Sequence, residues 1–287
     1  MRWFDANAQL GENAGFERTG NTTLVFLGTG ASCGVPIYYC DCKACREAEK
    51  NPMARRTCSS IAIVRDEVTL IDTAPEIHHQ LSREHISDVH RVLFTHEHLD
   101  HTGGVPQLEY MIRLRRHVPI DFYCNGHTAD YIESHFEMMD DISNIHRIEY
   151  GHQMEFDGIS YTSISASHCP GAFGYLIEIP AECTSDEKAR RIAYLPDTSR
   201  PSDDVLDIIR GVDVLIIDGT FNDGNWMPSQ HMEIDASVAL ADELEVGSAY
   251  LTHLSMHFDE PITLEELNAK LEGSRTHASY DGLRLNF

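Results

Sequence analysis

The sequence predicts an α/β chain in which two β-sheets pack together with helices on the outside, all in one domain. Three observations predict it. Ten short, β-branched segments are bounded by Gly, Pro, Asp or Asn, which is the pattern of strands. Helical patterns fall between runs of strands rather than after every strand. No linker splits the middle of the 287-residue chain, and a hydrophobic content of 42% suffices for a sizeable core.

In chain order, residues 1–20 are polar with scattered Gly and Asn and are expected to form a loosely docked extension. Residues 21–287 are the expected folded domain. From residue 23, "TLVFLG", "SIAIVR", "VTLID", "RVLFT", "IDFYC", "ISYTSIS", "FGYLIEI", "RIAYL", "VDVLIID" and "AYLTH" read as strands. Helices are expected at about 43–50, 75–86, 105–116, 127–139, 203–210, 234–245 and 263–271.

Composition excludes several classes. No apolar run approaches the roughly 18 residues of a membrane helix, and the first twenty residues lack the basic start and apolar core of a secretory signal. A cytoplasmic location and no membrane partner are therefore expected. A net charge of -24, with four lysines against eighteen arginines, disfavours a broad nucleic-acid surface. Of eight cysteines, Cys40, Cys42 and Cys45 cluster in "YYCDCKAC". In a reducing compartment such clusters bind metal more often than they pair. The C-x-x-C pair lacks a thioredoxin-like context. Three thiols leave a structural zinc one ligand short.

The segment "LFTHEHLDH" carries the chemistry. A hydrophobic strand ends at Thr95, and His96, His98, Asp100 and His101 follow within six residues. Imidazoles at i and i+2 of an extended segment can face one ion, while Asp100 and His101 turn toward a second position; both residue types suit zinc, manganese or iron. His168, Asp197 and His253 each lie just past the end of a later expected strand. The turn "LGTGAS" reads either as an ordinary tight turn or as a backbone cradle for an anion, and Ser59 and Ser60 are further candidates to meet a phosphate.

"THEHLDH" with His168, Asp197 and His253 downstream, and "LIDTA" ahead of it, resembles the metallo-β-lactamase superfamily over roughly residues 23–287. The resemblance implies an αββα sandwich of two mixed sheets with helices on the outer faces. It implies one metal held by His96, His98 and His168, a second by Asp100, His101 and His253, and Asp197 bridging them. Asp72 is expected to hydrogen-bond a ligand histidine. Within the superfamily, "LGTGASCGVPIYYCDCKAC", "RRTCSS", "HCPGAFGYLIE", "YLPDTS" and "YDGLRLNF" resemble the PhnP family, the phosphoribosyl 1,2-cyclic phosphate phosphodiesterases. That resemblance implies a structural zinc on Cys40, Cys42 and Cys45. Its fourth ligand would fall three residues after the last catalytic histidine. Met256 stands there, so His257, one place later, is expected to complete the site, with Cys58 in reserve. His231 in "SQHMEID" matches the family's general acid, and an imidazole suits that task; Asp100 counts with it among the catalytic residues. A homodimer is expected by analogy.

The implied function is hydrolysis of a small cyclic phosphodiester, similar to phosphoribosyl 1,2-cyclic phosphate, by a hydroxide held between two divalent metals, with His231 protonating the leaving oxygen. A 2′,3′-cyclic nucleotide phosphodiesterase would use the same chemistry. A tRNase Z-like RNA-processing enzyme is opposed by the net charge and by the lack of a basic-tipped arm. The cysteine loop is also similar to the PQQ-biosynthesis branch, which lacks the intact metal motif kept here. A non-catalytic metal-binding protein of the same fold is the alternative from another class.

Overall fold

The computed structural model describes residues 20–137 and 139–287; the expected extension, up to residue 19, lies outside the described residues. Strand Thr23–Gly28 (β1) shows why the layers stack as they do. All six of its residues are buried. Leu24 and Phe26 enter an apolar cluster shared with residues of the second sheet, including Tyr175 and Ile216. Val25 and Leu27 enter a different cluster with helical residues such as Ile77 and Val105. Successive strand side chains point to opposite faces, so a strand buried at every position must be covered on both.

The first sheet continues with Ser60–Val64 (β2), Val68–Ile71 (β3), Arg91–Leu93 (β4), Ile120–Cys124 (β5) and Ser143–Arg147 (β6). The second holds Gln153–Phe156 (β7), Ile159–Ser165 (β8), Phe173–Ile179 (β9), Arg190–Leu195 (β10), Val214–Asp218 (β11), Ser248–Thr252 (β12) and Thr276–Ala278 (β13). Arg284–Asn286 (β14) returns to the first sheet beside β1, giving the orders β14-β1-β2-β3-β4-β5-β6 and β13-β12-β11-β10-β9-β8-β7. Both sheets are mixed in the same way. Pairing is antiparallel from β14 to β3 and from β7 to β10, then parallel from β3 to β6 and from β10 to β13.

Helices Ile77–Arg83, Val105–Met111 and Gly126–His135 cover the first sheet through Ile77, Leu108 and Ile132. Helices Lys43–Lys50, Asp203–Ile209, Ile234–Glu243 and Leu264–Leu271 cover the second through Ala48, Leu206, Leu240 and Leu267. The result is the expected αββα sandwich. No helix among the described residues is long and apolar enough to cross a membrane.

All ten expected strands form. The four not expected, β6, β7, β13 and β14, are the four sheet edges. Their signals are weak for a physical reason: edges are kept short and polar to discourage pairing with other chains. β6 reads "SNIHR" and β13 and β14 have three residues each. The helix expected over 105–116 ends at Met111 and continues as a wider turn, Ile112–Arg116, which stops at His117 with φ +59°. The helix expected to reach 139 ends at His135.

Candidate active site

Parallel pairing gathers the ends of strands, and with them the polar residues that follow. Asp72 comes after β3, His96 after β4, Asp197 after β10 and His253 after β12, while Asp218 ends β11. Asp72 and His253 hold positive φ, +65° and +55°. Non-glycine residues pay about 1–3 kcal/mol for such backbone, which clusters at functional sites.

The structure brings the seven expected ligand side chains into two adjoining groups. His96, His98 and His168 form one; Asp100, His101, Asp197 and His253 form the other. His98 Nδ1 lies 3.0 Å from His96 Nε2 and 3.1 Å from His168 Nε2. Asp100 Oδ2 lies 3.4 Å from His253 Nε2 and 3.5 Å from His101 Nε2. Asp197 stands between the groups. Its Oδ2 is 3.0 Å from His101, 3.5 Å from His96 and 3.8 Å from His168, and its Oδ1 is 3.1 Å from His253.

Electrostatics reflects this crowding. Burial, reinforced by the neighbouring His101, holds His96 well below the usual imidazole range. Burial also opposes a charge on His101, but Asp197, Asp100 and Asp72 outweigh it and hold that ring well above its range. Burial opposes ionisation of Asp197, yet His253 and His101 outweigh it and keep the carboxyl well below its range. Divalent cations fit this cage. His101 Nε2 and Asp197 Oδ1 are buried without an aligned hydrogen-bond partner, and imidazole and carboxylate are the donors that zinc, manganese and iron accept.

Partners outside the cage fix its geometry. Asp72 is fully buried. It accepts hydrogen bonds from Thr95 N, Thr95 Oγ1 and His101 Nδ1, each at 2.8 Å. Asp72 thus anchors His101 Nδ1 and leaves Nε2 facing Asp197, as expected for a residue that orients a ligand.

His231 lies beside the cage, stacked on His253 with ring centroids 5.1 Å apart. Its Nδ1 donates to Asp218 Oδ2 at 2.8 Å. Burial opposes its protonation, but the Asp218 hydrogen bond and charge outweigh this and raise it above the ordinary imidazole value. Asp218 also accepts from Thr198 N (3.1 Å) and Thr220 N (2.8 Å). Thr220 Oγ1 lies 2.8 Å from His253 Nδ1. Sequence reasoning missed Asp218 and Thr220. The available signal was the apolar run ending in Asp at "LIID" (215–218), which repeats "LID" at 70–72.

Cys40, Cys42 and Cys45 converge on one point, with Cys42 at the N-cap of helix Lys43–Lys50. Burial resists its ionisation, but the backbone N–H of Cys45 and the neighbouring thiols outweigh this and lower its pKa. Two expectations need correction. His257 does not join the thiols among the described residues. The chain turns at Met256 (φ +58°), whose side chain is buried in the apolar core. His257 then lands against Cys33, Nε2 to Sγ 3.4 Å, and stacks on Phe258. Cys58 is likewise elsewhere, its Sγ 3.5 Å from Ser32 O.

The glycine turn borders the cavity through Ala31 and Ser32, but the N–H groups of Gly30 and Ala31 are already used. Gly30 N donates to Thr57 O (2.7 Å) and Ala31 N to Leu254 O (3.3 Å). Gly28 is required by close approach, since a Cβ there would sit 2.0 Å from Cys58 O. Ser59 and Ser60 are buried, donating to Gly30 O and Asp72 O.

A cavity of about 170 Å3 opens over the cage. It is lined by His98, Asp100, His168, Asp197, His231 and His253 and walled by Phe221, Trp226 and Phe258.

A sandwich of this topology with a His/Asp cage at its strand ends defines a class. The model of the β-lactamase superfamily domain matches residues 68–254, and the chain belongs to that superfamily, whose members are mostly metal-dependent hydrolases. Among solved structures, a diphosphatase of the PhnP family superposes with a TM-score of 0.79 at 28% identity, covering 93% of this chain and 97% of its own. Zinc-bound PqqB from Methylobacterium extorquens gives 0.74 at 25%, covering 92% and 100%. Coenzyme PQQ synthesis protein B of Methylobacterium radiotolerans is 30% identical over 223 residues, 69% of this chain and 72% of that protein.

Proposed function

We propose that the protein is a dinuclear-metal phosphodiesterase that hydrolyses a small cyclic phosphodiester. One observation carries the reading: an imidazole held by a buried carboxylate, His231 on Asp218, faces the same cavity as two ligand groups joined by Asp197. In it, His96, His98 and His168 hold one metal, Asp100, His101 and His253 the other, and Asp197 both. When bound, two such cations lower the pKa of water and neutralise charge on the phosphoryl oxygens.

The chain's own residues do the rest. His231 is held by Asp218 with its Nδ1 occupied, so Nε2 is the atom left to give a proton. Water adds to phosphorus and releases one proton to solvent, the P–O bond to the leaving group breaks, that oxygen takes the proton of His231, and His231 is reprotonated from solvent. The product is a phosphomonoester, and no covalent intermediate with the protein is needed. Phosphoribosyl 1,2-cyclic phosphate is the substrate suggested by likeness to the PhnP family. The three thiols hold a structural zinc in this reading, with a fourth ligand other than His257.

The test is a substrate panel on purified protein with its metal content measured. Turnover of cyclic phosphodiesters, with thioesters, lactones and β-lactams inert, supports the proposal; the reverse pattern sinks it. The second reading, a metal-binding protein without turnover, is motivated by likeness to zinc-bound PqqB. Full metal content with no hydrolysis of any ester on the panel would favour it.

A further inference from the structure

We propose that Trp226, with Phe221 and Phe258, is a stacking platform for a nucleobase, so that the preferred substrate is a nucleoside phosphodiester bearing a single phosphate. The inference rests on the phosphodiesterase reading and narrows its substrate class away from the phosphoribosyl ester, which carries a second phosphate.

Three observations carry it. The first is the platform itself. Phe221, Trp226 and Phe258 are mutually packed, with ring centroids 5.5–5.9 Å apart, and all three line the catalytic cavity. Phe221 is buried, whereas Trp226 is 60% exposed. An indole left open at the mouth of a polar cavity offers a flat face to a ligand, and every base has a complementary face. The second is size. The cavity, at about 170 Å3, is below the roughly 300–1,000 Å3 of pockets that enclose a whole small molecule. It encloses the reacting phosphate and leaves the remainder at the mouth, where Trp226 stands. The third is charge. Among the described residues, no lysine or arginine lines the cavity. A second, terminal phosphate on the substrate would meet no basic side chain, whereas a neutral planar group meets three aromatic ones.

The platform is also braced against the acid. Asn225 Nδ2 donates to His231 O at 2.8 Å, Asn225 N to Glu233 Oε1 at 3.1 Å and Met227 N to Asn225 Oδ1 at 2.8 Å. His168 Nδ1 donates to Gln230 O of the same loop at 3.1 Å. The loop that carries Trp226 is therefore the one that carries His231.

The experiment compares adenosine 2′,3′-cyclic phosphate, phosphoribosyl 1,2-cyclic phosphate and glycerol 1,2-cyclic phosphate on the wild type, Trp226→Ala and Trp226→Phe. The adenosine ester should have the highest kcat/KM. Trp226→Ala should raise its KM roughly 5- to 150-fold, the range for loss of one stacked base, and by a clearly larger factor than it raises the KM of the base-free esters; Trp226→Phe should restore most of the loss. Adenosine monophosphate should quench tryptophan fluorescence saturably in the wild type and not in Trp226→Ala. Equal kcat/KM for all three esters, or no saturable quench, overturns the platform. If no phosphodiester turns over, the hydrolase reading falls, and the quench alone still decides whether the platform binds a base.

Discussion

Removing the imidazole of His231 tests the catalytic assignment most directly, because the same geometry predicts both a loss and a place where no loss occurs. Protonation of a poor leaving group by a positioned acid is worth roughly 10²–10⁴-fold. His231→Ala should therefore lower kcat by that factor for a substrate that expels an alkoxide. For a p-nitrophenyl diester, whose leaving group departs as a stable anion, kcat should stay within about threefold. Asp218→Asn supplies the graded version. It keeps the shape but removes the charge that accepts His231 Nδ1 at 2.8 Å. A hydrogen bond to a charged group contributes about 1.5–3 kcal/mol, and about 1.4 kcal/mol is tenfold in rate, so an alkoxide substrate should slow by roughly 10- to 150-fold. The assay is steady-state kinetics on both substrate types, with metal measured in each variant. An equal loss for alkoxide and nitrophenyl leaving groups at unchanged metal content would refute the role of His231 as acid.

Three further outcomes follow from other parts of the molecule. Asp72→Ala leaves His101 Nδ1 and the donors of Thr95 unmatched, and should weaken metal binding roughly 10- to 100-fold, read by chelator competition. Cys42→Ser should remove about one zinc per chain by elemental analysis and lower the melting temperature, because closing that site contributes to folding; His257→Ala should leave the count unchanged, since His257 sits on Cys33. Glu266, bonded first by Lys43 and then by the Thr263 backbone in a capping box, has its pKa lowered from 4.5 to about 2. A folded value below the unfolded one means its contribution is complete above about pH 4.5 and is lost as pH falls toward 2. The urea midpoints of the wild type and Glu266→Gln should thus differ at pH 6 and converge by pH 2.

Much of this was legible before any coordinates. The metal cage was readable because its ligands follow strands whose apolar periodicity is strong, so each polar residue stood at a recognisable strand end. His231 became legible only through a family resemblance, since a histidine in "SQHMEID" has no local pattern that distinguishes it from a surface residue. Asp218 was hidden by the same feature that makes it effective: it closes a fully buried strand and reads as that strand's boundary. The position of His257 depended on a left-handed residue at Met256, a conformation that methionine does not advertise. The edge strands were missed because what protects an edge also erases its alternation. The glycine turn stayed ambiguous in the sequence, because glycine marks close backbone approach as readily as an anion site, and at Gly28 it marks the former.

The pairing of β1 with β14, Thr23 opposite Asn286, has a consequence for the order of events on the ribosome. β1 is apolar on both faces. The partner that shields its outer edge is made more than 250 residues later, and the tie from Thr29 Oγ1 to Asp281 Oδ1 waits as long. At about 5–20 residues per second, that edge stays open for tens of seconds in every nascent chain. Throughout that interval the first sheet depends on whatever holds nascent chains apart.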